Sequence, residues 1–232
     1  MICQPKPKKL SFAQAAAGPL ALITAFEALY GRGRLQAGNT VLVHGGAGGV
    51  GHIAIQMARI GGARICTTVS DEDKAMFVQE LGAEEFIFYR QRDFVEAVNL
   101  WTNGKGIEIA LDTVGPSIFK RTIDCMAYGG NLITLLNPGM DIDWIEARNR
   151  NLNIGFELML TPMLRDLPTA RNHQCDILKR CEGWIDTAKL SIHVSHTFPL
   201  EEAAKAHNLI EQGHVQGKVV LEIENWELPV MV

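Results

Sequence analysis

Val41-Leu42-Val43-His44-Gly45-Gly46-Ala47-Gly48-Gly49-Val50-Gly51 decides the fold. Its first three residues are apolar, two of them β-branched, and read as a buried strand. Gly46, Gly48 and Gly51 fit G-x-G-x-x-G. After them the apolar residues Val50, Ile53, Ala54 and Met57 fall at i, i+3, i+4 and i+7, one face of a helix. Strand, glycine turn and helix follow one another without a linker. In that context the pattern indicates a dinucleotide, and each glycine is assigned a task. Gly46 allows the tight turn, Gly48 lets bare backbone approach a pyrophosphate, and Gly51 lets the helix pack closely on the strand. The phosphates then lie on free N–H groups at the helix N-terminus, where the macrodipole favours negative charge.

Outward from this unit the alternation repeats. Strands are expected at 40–44, 64–69, 85–89, 107–112 and 131–136, as short apolar runs without a polar face. Parallel strands covered on both faces read this way. Ser70 is expected to cap the helix ending at Gly82, and further helices are expected at 93–101 and 116–126. Before the first strand, Ser11 and Gln14 form a capping box for a helix over 13–29, with Gly18-Pro19 as a kink or break. Beyond residue 139 the signal weakens. A sixth strand is read at 153–160, a helix at 175–187, alternation at 191–198, a helix from Pro199 to about Gly213, and a last strand at 219–223. The fold class is α/β, a doubly wound parallel sheet of Rossmann type with six strands and right-handed crossovers.

Composition narrows the function. With 22 basic and 26 acidic residues the net charge is -4, which argues against nucleic acid or an anionic membrane as partner. No uninterrupted apolar run has the roughly 18 residues of a membrane span, and no apolar stretch directly follows the basic N-terminus as in a signal peptide. The five cysteines include no CxxC, and a reducing cytoplasm is expected. Cys175 and Cys181 beside His173 match no common zinc spacing, so no metal is expected.

Several segments together closely resemble the zinc-independent quinone oxidoreductase (zeta-crystallin-like) branch of the medium-chain dehydrogenase/reductase family. They are Leu10 to Ala17 followed by Pro19-Leu20 and Thr24-Ala25, His44 to Gly51, Asp112-Thr113-Val114-Gly115, and Gly217 to Leu221. The resemblance covers residues 10–223. That family carries a GroES-like domain before the first helix, which this sequence does not contain. By the resemblance, residues 1–9 are its remnant, 10–190 are the Rossmann domain, and 191–232 return to the GroES-like domain.

The cofactor is decided after the second strand. An NAD enzyme places an acid there to bind the ribose hydroxyls, and here Val69 and Ser70 stand instead. The resemblance implies that Ser70 and Lys74 hold the 2′-phosphate of NADPH and that Tyr89 lies along it. Ser70 also suits a helix cap, Lys74 a solvated helix charge, and Asp71 could serve the ribose of NADH, the less favoured cofactor. By the same resemblance Ala47, Gly49 and Val50 complete the phosphate cradle. Thr113 and Val114 approach the cofactor, Leu135 and Asn137 flank the nicotinamide, and Thr24 reaches its side. The family often has an aromatic residue and a glycine where this chain has Leu135 and Leu136. Its zinc-dependent cousins contribute a cysteine from the first helix, and none stands between Gly18 and Thr24. The implied reaction is hydride transfer to a quinone or activated alkene by a homodimer acting on a small molecule. No catalytic residue is assigned. The alternatives are an enoyl-thioester reductase and a non-catalytic nucleotide-binding module.

Overall fold

The structure, a computed structural model, describes residues 4–213 and 215–223. Cys3, His214 and the end of the segment expected to return to the GroES-like domain, 224–232, lie outside the described residues. Six parallel strands form one sheet in the order β3-β2-β1-β4-β5-β6. They are β1 (Thr40–Val43), β2 (Arg64–Val69), β3 (Glu85–Phe88), β4 (Ile107–Asp112), β5 (Met126–Thr134) and β6 (Asn153–Phe156). The crossovers are α2 (Gly51–Ile60), α3 (Glu72–Leu81), α4 (Phe94–Trp101), α5 (Pro116–Thr122) and α6 (Trp144–Asn149). α1 (Phe12–Phe26) precedes the sheet. α7 (Thr161–Leu164) and α8 (Pro168–Asp186) follow it. β7 (Val194–Pro199) and β8 (Lys218–Glu222), joined through α9 (Ala203–Glu211), form a second, two-stranded parallel sheet that packs against α1.

The period of the strands explains why both faces are apolar. Val41 and Val43 enter the core with α1, α2 and α8, while Leu42 enters the opposite core with Phe94, Phe119 and Ile123. β4 divides likewise from Ile109 on, with Ile109 and Leu111 on one side and Ala110 on the other, while Ile107, before an irregularity in the pairing, joins Ala110. Each such side chain, fully buried, stabilises the fold by roughly 1.5–3 kcal/mol. β1 lies between β2 and β4, so the chain leaves it in one direction and returns on its other side. The turn after β1 therefore sits at the switch point, where two crossovers diverge and leave a crevice.

Several boundaries differ from expectation for identifiable reasons. α1 runs unbroken through Pro19 and continues as a π-helical turn, Glu27–Arg32. Gly18 is not a break: a Cβ there would lie 2.5 Å from Ile192 Cδ1, so the glycine admits the segment entering β7. The combined helix Phe12–Arg32 has mean hydropathy 1.4 and is long and apolar enough to cross a bilayer, which the reading of uninterrupted runs missed. Its composition is that of a core helix, since Ala21, Ile23, Ala25, Ala28 and Leu29 are buried in the fold. β5 begins at Met126, so Gly129 and Gly130 lie within the strand, beside an irregularity in its pairing with β4. β6 stops at Phe156, and Thr161-Pro162 opens α7 rather than a loop. α8 starts at Pro168, whose missing N–H is harmless in a first turn. α3 is capped by Asp71, not Ser70: the Asp71 carboxylate accepts the Lys74 N–H at 3.0 Å.

Candidate nucleotide-binding site

The glycine turn is built by close approaches. Gly45, outside the G-x-G-x-x-G pattern, has φ +67° and holds the left-handed conformation of the turn, and its carbonyl accepts the Gly48 N–H at 2.9 Å. Gly46 is required for another reason: a Cβ there would sit 2.0 Å from Thr67 Oγ1 and 2.8 Å from Ile55 Cδ1. A Cβ on Gly51 would meet the Gly45 carbonyl oxygen at 2.3 Å. On Gly48 it would meet only that oxygen, at 3.1 Å, with open space beyond. The backbone at Gly48 is therefore bare toward the crevice.

Two buried histidines fix the turn. His44 faces Thr122 Oγ1 through Nε2 at 2.9 Å, while the Thr122 hydroxyl donates to the Ile118 carbonyl at 2.7 Å. Thr122 must then accept, which places the proton on Nε2. His52 faces the Gly48 carbonyl through Nδ1 at 2.9 Å, and its Nε2 accepts the His193 N–H at 3.3 Å. The proton is thus on Nδ1, and the ring bridges the glycine turn to the approach to β7. Burial holds both rings neutral, with pKa values near 3 for His44 and 4 for His52. Gln56 adds to the bridge, accepting from the Ser191 N–H at 2.8 Å and donating to its carbonyl at 3.0 Å.

A cleft of about 950 Å³ opens over the turn. Its walls include Ala47, Gly48, Gly49, Val50 and Gly51, Ser70 and Lys74 after β2, Tyr89 after β3, Thr113 and Val114 after β4, and Leu135 after β5. Three expected residues do not line it. Gly46 lies behind the turn, Thr24 is buried in α1, and Asn137 accepts the Gly139 N–H at 3.0 Å to form its own turn. Thr113 lines the cleft, but its hydroxyl donates to the His44 carbonyl at 2.7 Å, tying two strand ends together. Asp112, fully buried, accepts from the Val114 and Gly115 N–H groups at 2.9 and 3.0 Å and shapes that turn.

At one end of the cleft Lys74 Nζ donates to Ser70 Oγ at 2.9 Å and to the Gly213 carbonyl at 2.9 Å, with Asp71 Oδ2 at 3.7 Å. The Ser70 hydroxyl donates to Asp71 Oδ2 at 2.6 Å, and this bond holds the Asp71 carboxyl below the usual carboxylate range. Both Asp71 oxygens are therefore engaged. Opposite the glycine turn stands a wall that the sequence reading did not assign: Ile210, Glu211, Gly213, Val215, Gly217 and Lys218. The Gly217 N–H donates to the Ala47 carbonyl at 2.8 Å, and Lys218 Cδ lies 2.9 Å from where a Gly49 Cβ would be. Burial pulls the Lys218 pKa down. The sequence signal for this wall was Gly217-Lys218 at the start of the last expected strand, which entered only as part of the family resemblance.

A Rossmann-type nucleotide-binding domain is what this order, turn and cleft define. A sequence model described as "Zinc-binding dehydrogenase" matches residues 81–221, and the chain belongs to that family, part of the medium-chain dehydrogenases/reductases. The chain is 31% identical over 223 residues to the highly reducing polyketide synthase AN6791 of Emericella nidulans, covering 94% of this chain and 9% of that protein. Among solved structures, Escherichia coli quinone oxidoreductase complexed with NADPH superposes with TM-score 0.84 at 27% identity, over 94% of this chain and 67% of that one. CurK enoyl reductase does so with TM-score 0.82 at 26% identity, over 95% and 65%. The chain thus spans about two thirds of these enzymes and under a tenth of the synthase. The family's name implies zinc. Among the described residues no three His, Cys, Asp or Glu side chains come together to hold a metal ion, so no step is derived through one.

Proposed function

We propose that this chain is the cofactor-binding part of a reductase that delivers hydride from NADPH to a quinone or an activated alkene. One observation carries the choice of NADPH. The Lys74 ammonium and Ser70 hydroxyl stand together at the end of β2, where an NAD enzyme keeps a free acid, while Asp71 has both oxygens engaged. The 2′-phosphate would lie on Ser70 and Lys74, along Tyr89. The pyrophosphate would lie on the N–H groups of Gly48 to Gly51, with Lys218 facing it. Bound there, NADPH supplies a hydride from C4 of its nicotinamide. Val114 and Leu135, which line the cleft, would flank that end. The facing wall of the substrate cleft belongs to the third of the relatives' length that this chain does not span, the GroES-like domain that residues 1–9 would follow.

Titration of NADPH and NADH against the natural chain and Lys74→Ala tests the cofactor. Loss of a charge-assisted pair should weaken NADPH by about 10–100-fold and leave NADH within a few-fold. Equal loss of both would transfer the role to Asp71 and NADH. The likeness to CurK enoyl reductase favours a second acceptor, an enoyl thioester. Turnover of crotonyl-CoA against a simple quinone by the full natural chain separates the two, and binding without either turnover would leave a nucleotide-binding module. The outer edge of β6, unpaired among the described residues, and half-exposed Phe156 suit a homodimer. The free thiols of Cys66, Cys125 and Cys181, all buried, suit the cytoplasm.

A further inference from the structure

We infer that the Gly213 carbonyl is a built-in competitor for the 2′-phosphate: Lys74 holds the turn that ends α9 against the cleft, and NADPH must displace that carbonyl. This rests on the NADPH reading above. An ammonium has three N–H donors. Those of Lys74 are directed at Ser70 Oγ, Gly213 O and, at longer range, Asp71 Oδ2. A phosphate arriving between Ser70 and Lys74 has to replace one of these partners. Ser70 can rotate its hydroxyl to donate to the phosphate. Asp71 is fixed by capping α3. Gly213 is the partner on the most lightly held element: Ala206 is the one buried residue of α9, and the packing of that helix is mainly with β7, β8 and the turn before it. The Gly213 carbonyl dipole and the Glu211 carboxylate on the same wall also oppose a dianion. Phosphate and α9 therefore compete for a single ammonium, and the coupling is reciprocal. NADH carries no group that would break the contact, so the exchange separates the two coenzymes.

Hydrogen–deuterium exchange of peptides spanning 203–213, read with mass spectrometry, tests this without turnover. Their reporters are the Gln212 N–H on Asn208 O and the Gly213 N–H on Ile210 O. Without ligand, Lys74→Met should raise exchange there on the order of tenfold, since a hydrogen bond to a charged group is lost. In the natural chain saturating NADPH should raise it similarly, and NADH should not. Unchanged exchange in Lys74→Met, despite an unaltered melting temperature, overturns the inference. So does protection of 203–213 by NADPH equal to that by NADH. Binding is followed in parallel by nicotinamide fluorescence. If NADPH fails to bind, the cofactor reading falls and this inference falls with it, a result distinct from tight binding without release of α9.

Discussion

Gly51 and Gly48 stand three residues apart in one turn and answer to different constraints. At Gly51 a methyl group would press on backbone, the Gly45 carbonyl at 2.3 Å and Gly46 Cα at 2.8 Å. Backbone cannot yield as a flexible side chain can, so Gly51→Ala should cost about 1–3 kcal/mol of stability. Gly48→Ala meets one oxygen at 3.1 Å and otherwise open cleft, so it should fold normally and bind NADPH more weakly. Thermal melts and coenzyme titration of the two variants, run side by side, should show opposite defects. The motif was legible because its spacing is local. Which glycine holds the left-handed conformation was not: Gly45, with φ +67°, lies outside the pattern. Lys218 was illegible for another reason. It reaches the turn from the far end of the sequence, and periodicity says nothing about such contacts.

At the scale of elements, the strands of the sheet's first half were readable to within a residue, because each is a short apolar run closed by a turn or cap. The second half was less so. Glycine ordinarily signals a turn, yet Gly129 and Gly130 lie inside β5, where the pairing with β4 shifts. The π-helical turn was also hidden, and it sets Glu27 and Arg32 beside a buried carboxyl. Glu157, just after β6, is 3% exposed, and neither carboxylate oxygen has a hydrogen-bond partner among the described residues. Arg32 Nη2 lies 3.2 Å from Oε2. Burial, followed by the influence of the neighbouring Glu27 carboxyl, outweighs that ion pair and raises the Glu157 pKa to about 8. A group raised on folding contributes stability that is full below its unfolded value, near 4.5, and lost as pH rises through about 8. Glu157→Gln, neutral throughout, should therefore gain on the natural chain by about 2–4 kcal/mol as pH rises toward 8. Denaturant melts at several pH values check this. On the outer edge of the same strand, Phe156→Asp should convert a β6-paired dimer to monomer in sedimentation, if the edge is used as proposed.

The whole molecule combines these titrations. His44 and His52 work in the opposite sense to Glu157: their folded values near 3 and 4 lie below the unfolded 6.5. Their contribution is full above pH 6.5 and lost as pH falls toward 4. Each histidine removes about 1.4 kcal/mol per pH unit in that window. Net stability should peak near pH 6.5, falling on the acid side through the histidines and on the alkaline side through Glu157. A pH series of melting temperatures should show that maximum, and His52→Gln should flatten the acid limb. The class of fold and one side of the site were legible in the sequence. The opposite wall was not, because it depends on how residues 191–222 return. That return carries a consequence for biosynthesis. His52 is clipped to His193, Gln56 to Ser191 across 135 positions of sequence, and Ala47 to Gly217. On a ribosome, β1 to β6 can pair as they emerge. The phosphate cradle, though encoded near the start, is completed only when the last strands are out, so a stalled nascent chain ending before Lys218 should show a folded sheet that does not yet retain the nucleotide.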